Sequence, residues 1–335
     1  MSDDQDHNNG AASSGSNIGV VIIGRNEGER LVACLNSVGS AHTVVYVDSG
    51  STDGSVEAAR AAGADVVALD MSLPFTAARA RNAGYSRLKD IAAPAYVQFI
   101  DGDCELAPGW IDKAAAFLDA HSDYAVACGR CREKCPEASI FNRQCDREWA
   151  TPIGDTLACG GIAMMRASAF SAVGGFDRAL IAGEEPELCL RLREKDWRIM
   201  RLDEEMARHD AAIKKLSQWW RRAVRAGHAF AEVSHMHKTS PKRIWAAETR
   251  RAVLWSAVAP AALLAALLVH PAALLLLLLY PLQIARLAFS RGGAPFDWAD
   301  AALLTFGKFA EAWGVLKYHA NRITGAKTAL IEHKT

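Results

Sequence analysis

Short, nearly continuous apolar runs stand between longer stretches of helical periodicity over the first third of this chain. Residues 19–24 (GVVIIG), 43–48 (TVVYVD), 65–69 (DVVAL) and 96–101 (YVQFID) predict four strands. Residues 27–38, 53–62 and 76–89 predict the helices between them. Apolar strands without polar alternation are buried on both faces, which is the pattern of a parallel sheet covered by helices. The expectation is therefore an α/β fold of Rossmann-like, nucleotide-binding type.

The order is less regular from about residue 125 to 202. Strand candidates at 125–129, 161–165 and 198–202 surround helices, one of them over 185–195. Residues 213–230 are rich in Arg and Trp and predict an amphipathic helix, either at a membrane surface or packed on its own domain. Residues 252–285 carry no charge at all. That run exceeds one comfortable span of about 20 residues and falls short of two. His270-Pro271 near its middle can turn the chain. Arg250 and Arg251 flank one end, and Arg286 and Arg291 the other, so both ends prefer the cytoplasm. A tight helical hairpin or re-entrant pair is expected rather than a single crossing. Residues 298–318 interleave Trp and Lys and predict an interfacial helix or a third membrane segment. Residues 1–16, polar and Gly/Ser-rich, predict a disordered tail. The expected organisation is a tail (1–16), a catalytic domain (17–235) and a membrane-associated helical region (236–335).

Half of the 335 residues are hydrophobic, enough for a sizeable core. Lys plus Arg equal Asp plus Glu at 38 each, which gives no support for a nucleic-acid partner. The polar, acidic start has no apolar core of a secretory signal. The catalytic part is therefore expected in the cytoplasm, where thiols stay reduced. Among eight cysteines, Cys128, Cys131, Cys135 and Cys145 cluster loosely, but the spacing matches no zinc or iron–sulfur signature. They read as structural or incidental.

Candidate chemistry lies where strands end. Asp48-Ser49-Gly50-Ser51-Thr52-Asp53-Gly54-Ser55 follows an apolar strand and precedes a helix, the position at which open α/β sheets bind ligands. Asp48 can accept hydrogen bonds from a nucleobase or ribose, while Asp53 can cap the following helix. Asp101-Gly102-Asp103 follows another strand. Two carboxylates there make a hard-oxygen pocket suited to Mg2+ or Mn2+, although Asp-Gly is also a plain turn dipeptide. Glu184, Glu185 and Glu187 crowd a helix start, where the helix dipole favours anions; mutual repulsion there raises proton affinity, as a general base needs. Arg221 and Arg222 can neutralise a diphosphate leaving group or simply form a basic helix face.

The ordered set resembles family 2 glycosyltransferases of the GT-A fold. It comprises Asn26-Glu27, the Asp48–Ser55 motif, Ala80-Arg81-Asn82-Ala83-Gly84, Asp101-Gly102-Asp103, Gly160-Gly161, Glu184-Glu185-Pro186-Glu187-Leu188 and Gln218-Trp219-Trp220-Arg221-Arg222. The resemblance covers about residues 18–230. Residues 136–149 (PEASIFNRQCDREW) and the apolar tail resemble the branch that builds bacterial cell-envelope polysaccharides. The resemblance implies a mixed GT-A sheet with helices on both faces, plus C-terminal membrane helices. Asp48 resembles the base-binding Asp, Glu27 a ribose or base contact, and Arg81 the residue near the diphosphate. Asp101 and Asp103 resemble the metal motif, with Asp103 the direct ligand and His209 of His209-Asp210 a further candidate. Glu185 resembles the catalytic base, with Glu184 its rival, since the family usually has Glu-Asp where Glu184-Glu185 stands here.

The resemblance also implies an inverting transfer from a nucleotide-diphosphate sugar, with Mg2+ or Mn2+, to a saccharide or lipid-linked saccharide at the cytoplasmic face of a cell membrane. Processive synthases of the family usually carry Gln-x-x-Arg-Trp. Arg222 in the fifth position favours transfer of one or a few sugars. A nucleotidyltransferase would need a more basic first loop than Gly24-Arg25-Asn26-Glu27-Gly28, and a noncatalytic membrane scaffold would not need three carboxylate sites.

Overall fold

Six of the seven residues of β1 (Ile18–Gly24) are buried, as its uninterrupted apolar run requires. The structure is a computed structural model and describes residues 18–40 and 42–326. The tail expected over residues 1–16 lies outside the described residues. After β1 come α1 (Glu29–Val38), β2 (Thr43–Asp48), α2 (Ser55–Ala61), β3 (Asp65–Ala68), α3 (Ala77–Ile91) and β4 (Tyr96–Asp101). β2 and β4 flank β1, β3 lies outside β2, and all four strands are parallel. This half matches the sequence expectation strand for strand. Its register sets Gly24 beside Asp48 and Ile23 beside Asp101, so both acidic residues end strands at one edge, on either side of β1.

The second half reverses direction. It contains β5 (Cys104–Leu106), α4 (Trp110–Ala120), β6 (Tyr124–Glu133), a 3-10 turn at Pro136–Ala138, α5 (Ile140–Trp149), β7 (Gly154–Asp155), β8 (Ala163–Arg166), α6 (Ala167–Ala172), α7 (Glu184–Glu194) and β9 (Arg198–His209). β8 runs antiparallel between β4 and β6, while β9 pairs parallel with β6 and antiparallel with β5. The result is one mixed nine-stranded sheet, ordered β3-β2-β1-β4-β8-β6-β9-β5 with β7 on β9. The sheet is therefore mixed, not wholly parallel. β6 and β9 run 10 and 12 residues, well beyond the apolar runs at 125–129 and 198–202. Their outer ends carry Arg130, Arg132, Asp203, Glu204 and Glu205, charged positions that an apolar-run criterion stops at. Phe99, Phe170 and Phe176 join the two halves, with ring centroids 5.2–5.4 Å apart. Gln98, fully buried in β4, accepts from Trp110 Nε1 at 2.9 Å and donates to Phe99 O at 2.8 Å. Both ends of its amide are thus satisfied in the core.

Five C-terminal segments complete the molecule: α8 (Leu216–Met236), α9 (Ala246–Leu268), a 3-10 stretch at Pro271–Leu278, α10 (Leu279–Phe289) and α11 (Pro295–Thr324). α8 and α11 meet backbone to backbone. A Cβ on Gly227 would fall 1.9 Å from Glu311 O, and one on Gly314 2.0 Å from Val224 O. α9 and the segment Pro271–Phe289 are each long and apolar enough to cross a membrane. They fold into a hairpin that leaves Leu267 82% and Val269 83% exposed near its turn. The Tyr280 hydroxyl fastens the hairpin by donating to Trp255 O at 2.8 Å and accepting from Ala259 N at 3.1 Å, just before Pro260. α5 ties the sheet to these helices. Arg147 donates to Asp297 and Asp300, at 2.8 and 3.0 Å, and Arg291 also pairs with Asp300. Gln144 donates to Asp300 at 3.0 Å and accepts from Trp219 Nε1 of α8 at 2.8 Å.

The four cysteines of the loose sequence cluster are free thiols, and they divide between packing environments. Cys128 belongs to the main core, and Cys145 to a smaller cluster with Trp219, Ala211 and Ile213.

Candidate active site

The ends of β1 and β2 are latched together before any ligand arrives. Asn26, at φ 55°, accepts from Thr52 N at 2.7 Å through its side chain, and its own N–H donates to Ser51 Oγ at 2.9 Å. Asp48 is buried and shapes its own turn. Its carboxylate accepts from Gly50 N at 2.9 Å, from Ser51 N at 3.0 Å and from the Tyr46 hydroxyl at 3.3 Å. Asp53 accepts from the N–H and hydroxyl of Ser55, at 3.1 and 2.6 Å, the first residue of α2. Glu27 opens the adjoining loop and pairs with Arg30 at 2.7 Å. Asp48 and Glu27 therefore stand at the adjoining ends of β1 and β2.

Arg81, buried on α3, organises the next cluster. Its Nη1 donates to Glu184 Oε1 at 2.8 Å and Glu185 Oε1 at 2.7 Å, while Nη2 donates to Asp101 Oδ1 at 2.8 Å. Burial alone would weaken its charge, but the three carboxylates outweigh that and hold the guanidinium above its ordinary range. The sequence expectation set Arg81 near a diphosphate. Both its terminal nitrogens instead face carboxylates. Burial, reinforced by repulsion from Glu184, pushes the Glu185 carboxyl up to about 7 despite the opposing pull of Arg81. The cluster closes on Gly161, where an added Cβ would lie 2.6 Å from Arg81 Nη2, 3.1 Å from Glu185 Oε1 and 3.2 Å from Asp101 Oδ2. Any side chain there would invade the carboxylates.

Asp103 and His209 meet across the β5–β9 pairing. Asp103 Oδ2 and His209 Nε2 are 3.1 Å apart, and the Cys104 thiol lies 3.4 Å from Asp103 Oδ1. Among the described residues, Asp103, Cys104 and His209 are the one His/Cys/Asp/Glu group that could hold a metal ion. Burial and the carboxylates of Asp103 and Asp101 push the Cys104 thiol well up, so sulfur stays protonated and is the poor ligand of the three. A carboxylate and an imidazole remain, with Asp101 one strand-end away but turned to Arg81. Such oxygen and imidazole donors fit a divalent cation, Mn2+ better than the strictly oxygen-seeking Mg2+. Trp149 stacks on His209 with centroids 4.7 Å apart and planes at 15°, which fixes the imidazole's orientation. Glu133 braces the same loop by accepting from Ala211 N at 3.0 Å.

Glu185 and Gly160 open into a cavity of about 430 Å3 walled by α5, α8, α11 and Trp245. Arg222 lines it and pairs with Glu148 at 2.7 Å; Arg221 is not part of the lining. Arg225 also lines it. Sequence reasoning passed over Arg225, Glu148 and Trp149. A signal for Arg225 was present, because it follows Arg222 by three residues and Gln218 by seven, on one helical face. Nothing in the sequence showed that α5 would supply Glu148 and Trp149 opposite that face.

Residues 19–174 match the model of the family described as glycosyl transferase family 2. Among solved structures, the mannosyltransferase PcManGT from Pyrobaculum calidifontis, in complex with GDP-Man and Mn2+, superposes with a TM-score of 0.62 at 17% identity, covering 90% of this chain and 87% of that one. At that identity the likeness establishes the fold. The crystal structure of S. aureus TarS 1–349 aligns at 16% identity over 92% of this chain and 91% of that one, with a TM-score of 0.48.

Proposed function

Residues 19–174 make this chain a member of glycosyl transferase family 2, a glycosyltransferase that uses a nucleotide-sugar donor, and from that premise we propose an inverting transfer to a lipid-linked saccharide at a membrane. The observation that carries the reading is the Arg81 cluster. One buried guanidinium gathers Glu184, Glu185 and Asp101 where strands end, and Glu185 alone of these lines the cavity.

In this reading the donor nucleotide lies over the β1 and β2 ends, beside Glu27 and Asp48. Asp103 and His209 would hold a divalent cation, which would supply Lewis-acid stabilisation of the departing diphosphate. Glu185 faces the cavity and takes the acceptor hydroxyl's proton as the hydroxyl oxygen attacks the anomeric carbon. The carbon–oxygen bond to the diphosphate breaks on the opposite side, which inverts the centre. Arg81 keeps Glu185 aimed and partly ionised although burial resists its charge. Arg222 lines the cavity with its charge balanced by Glu148. Much of the rate then comes from holding two substrates in line.

The catalytic part spans residues 17–235, and 236–335 form the membrane-associated region, with its hairpin entering from the cytoplasmic face. PcManGT was solved with GDP-Man and Mn2+, and a guanosine or related diphosphate sugar with Mn2+ is the natural first trial here. The membrane hairpin supports a role in cell-envelope polysaccharide synthesis. The test is full-length protein in detergent, screened against nucleotide sugars for nucleoside diphosphate release and for label entering a lipid fraction. Label confined to water-soluble acceptors would remove the lipid-linked part of the proposal. Chelation should abolish release and Mn2+ restore it, and Asp103→Ala should be insensitive to added metal.

A further inference from the structure

The cavity beside Glu185 has a mixed lining. Glu185, Arg222 and Arg225 line it together with Phe230, Trp245, Leu303 and Leu304. The apolar wall belongs to α8, to α11 and to the entry of α9, the element that begins the membrane hairpin. A site that joins cationic and apolar lining, on helices that lead into the apolar hairpin, suits an amphiphile.

The charges are not equally available. Arg81 is held by three carboxylates, and Arg222 is neutralised by Glu148 at 2.7 Å. Arg225 is half-buried, lines the cavity, and makes no hydrogen bond or ion pair among the described residues. Its charge feels Glu184, Glu185 and Asp101 at a distance, with Arg222 opposing. No protein group among the described residues accepts from its five donors, which leaves them available to a ligand in the cavity. An anion entering the cavity would supply the missing acceptor oxygens in the bidentate geometry that guanidinium favours.

Resting on the reading of Glu185 as the base beside the acceptor, we propose that Arg225 binds the phosphate of a prenyl-phosphate-bearing acceptor. The acceptor's apolar tail runs along Phe230, Trp245, Leu303 and Leu304 towards the membrane. Arg225 thereby selects a phosphorylated lipid over a neutral one and fixes how far its hydroxyl stands from Glu185. The donor diphosphate is assigned to Asp103 and His209, neither of which lines the cavity.

Full-length protein in detergent, titrated with farnesyl monophosphate, farnesol, inorganic phosphate and phosphatidylglycerol, tests this, with Trp219 and Trp245 in the cavity wall as fluorescent reporters. Farnesyl monophosphate should bind much more tightly than farnesol or inorganic phosphate. Arg225→Gln should weaken it by about tenfold or more, and Arg225→Lys should recover part of the loss. Binding of nucleoside diphosphate with Mn2+ should be the same in all three proteins, which also shows that the variants are folded. Equal farnesyl monophosphate affinity in wild type and Arg225→Gln would overturn the proposal. So would a loss confined to nucleoside diphosphate, which would assign Arg225 to the donor. Phosphatidylglycerol binding as tightly, with the same dependence on Arg225, would replace the acceptor site by a headgroup site. Failure of every nucleotide sugar to turn over, with Arg225-dependent prenyl phosphate binding intact, would instead remove the proposed transfer and leave this inference standing.

Discussion

Glu185 is pulled in two directions: burial and Glu184 favour its neutral form, and Arg81 favours its anion. A base must be ionised to accept a proton, and its carboxyl is pushed up to about 7. The dependence of kcat/KM on pH should therefore rise through that region and level off above it. The acid limb should vanish in Glu185→Gln, whose kcat should fall by about 10²–10⁴-fold. Nucleoside diphosphate affinity should be nearly unchanged. A profile flat through pH 7, or a larger loss in Glu184→Gln, would transfer the role to Glu184. Gly161 gives a sharper steric test. Its Ala variant would force a Cβ to within 2.6 Å of Arg81 Nη2. Overpacking of this kind costs about 1–3 kcal/mol of stability. Activity should fall much further than thermal melting suggests, because the group displaced is the one that aims Glu185. Glu184 and Glu185 are legible in the sequence because they open a helix, and Asp101 because it ends an apolar strand, whereas Arg81 stands inside a helix and is picked out only by the resemblance. Their mutual geometry is not legible there, because Arg81 and Glu185 lie 104 positions apart in the chain.

At the scale of elements, the parallel strands β1 to β4 matched their predicted ranges closely because each is apolar on both faces. β6 and β9 outran theirs because their outer halves are charged. Helix α8 shows the opposite difficulty. Its amphipathic pattern predicted a helix but left open whether the apolar face meets lipid or protein. The answer is largely protein: Gly227 and Gly314 let α8 and α11 touch backbone to backbone. Gly314→Leu should drive the helices apart, lower the melting temperature and open the cavity. The readout is thermal unfolding together with prenyl phosphate binding, and an unchanged melting temperature would show that the close crossing does not matter. Gln144 is a second joint, linking Trp219 of α8 to Asp300 of α11. Gln144→Leu leaves both groups without that partner and should cost about 1–3 kcal/mol.

Over the whole molecule, two helices apolar enough to cross a membrane are joined to the wall of the cavity beside Glu185. The turn between them is apolar: Leu267, Leu268 and Val269 are all at least 70% exposed, and His270 is the lone polar residue beside them. A turn of that composition is better satisfied in lipid than in water on the far side. Epitopes placed after Lys242 and after Arg291 should thus both be reachable from the cytoplasmic side, and membrane fractionation should retain the protein. Opposite-side accessibility would establish a single crossing. The sequence by itself determined the strands of the nucleotide-binding half, the apolar hairpin and the acidic residues at strand ends. Each is a local pattern, set by burial on both faces, by run length or by position after a strand. Only the tertiary structure decided that Arg81 gathers three carboxylates, that Trp149 orients His209, and that Glu148 occupies Arg222 while Arg225 has no ion-pair partner among the described residues. Those are pairings between distant segments. Which cation meets which carboxylate depends on how the sheet reverses and where α5 and α11 then pack, and no periodicity along the chain encodes that.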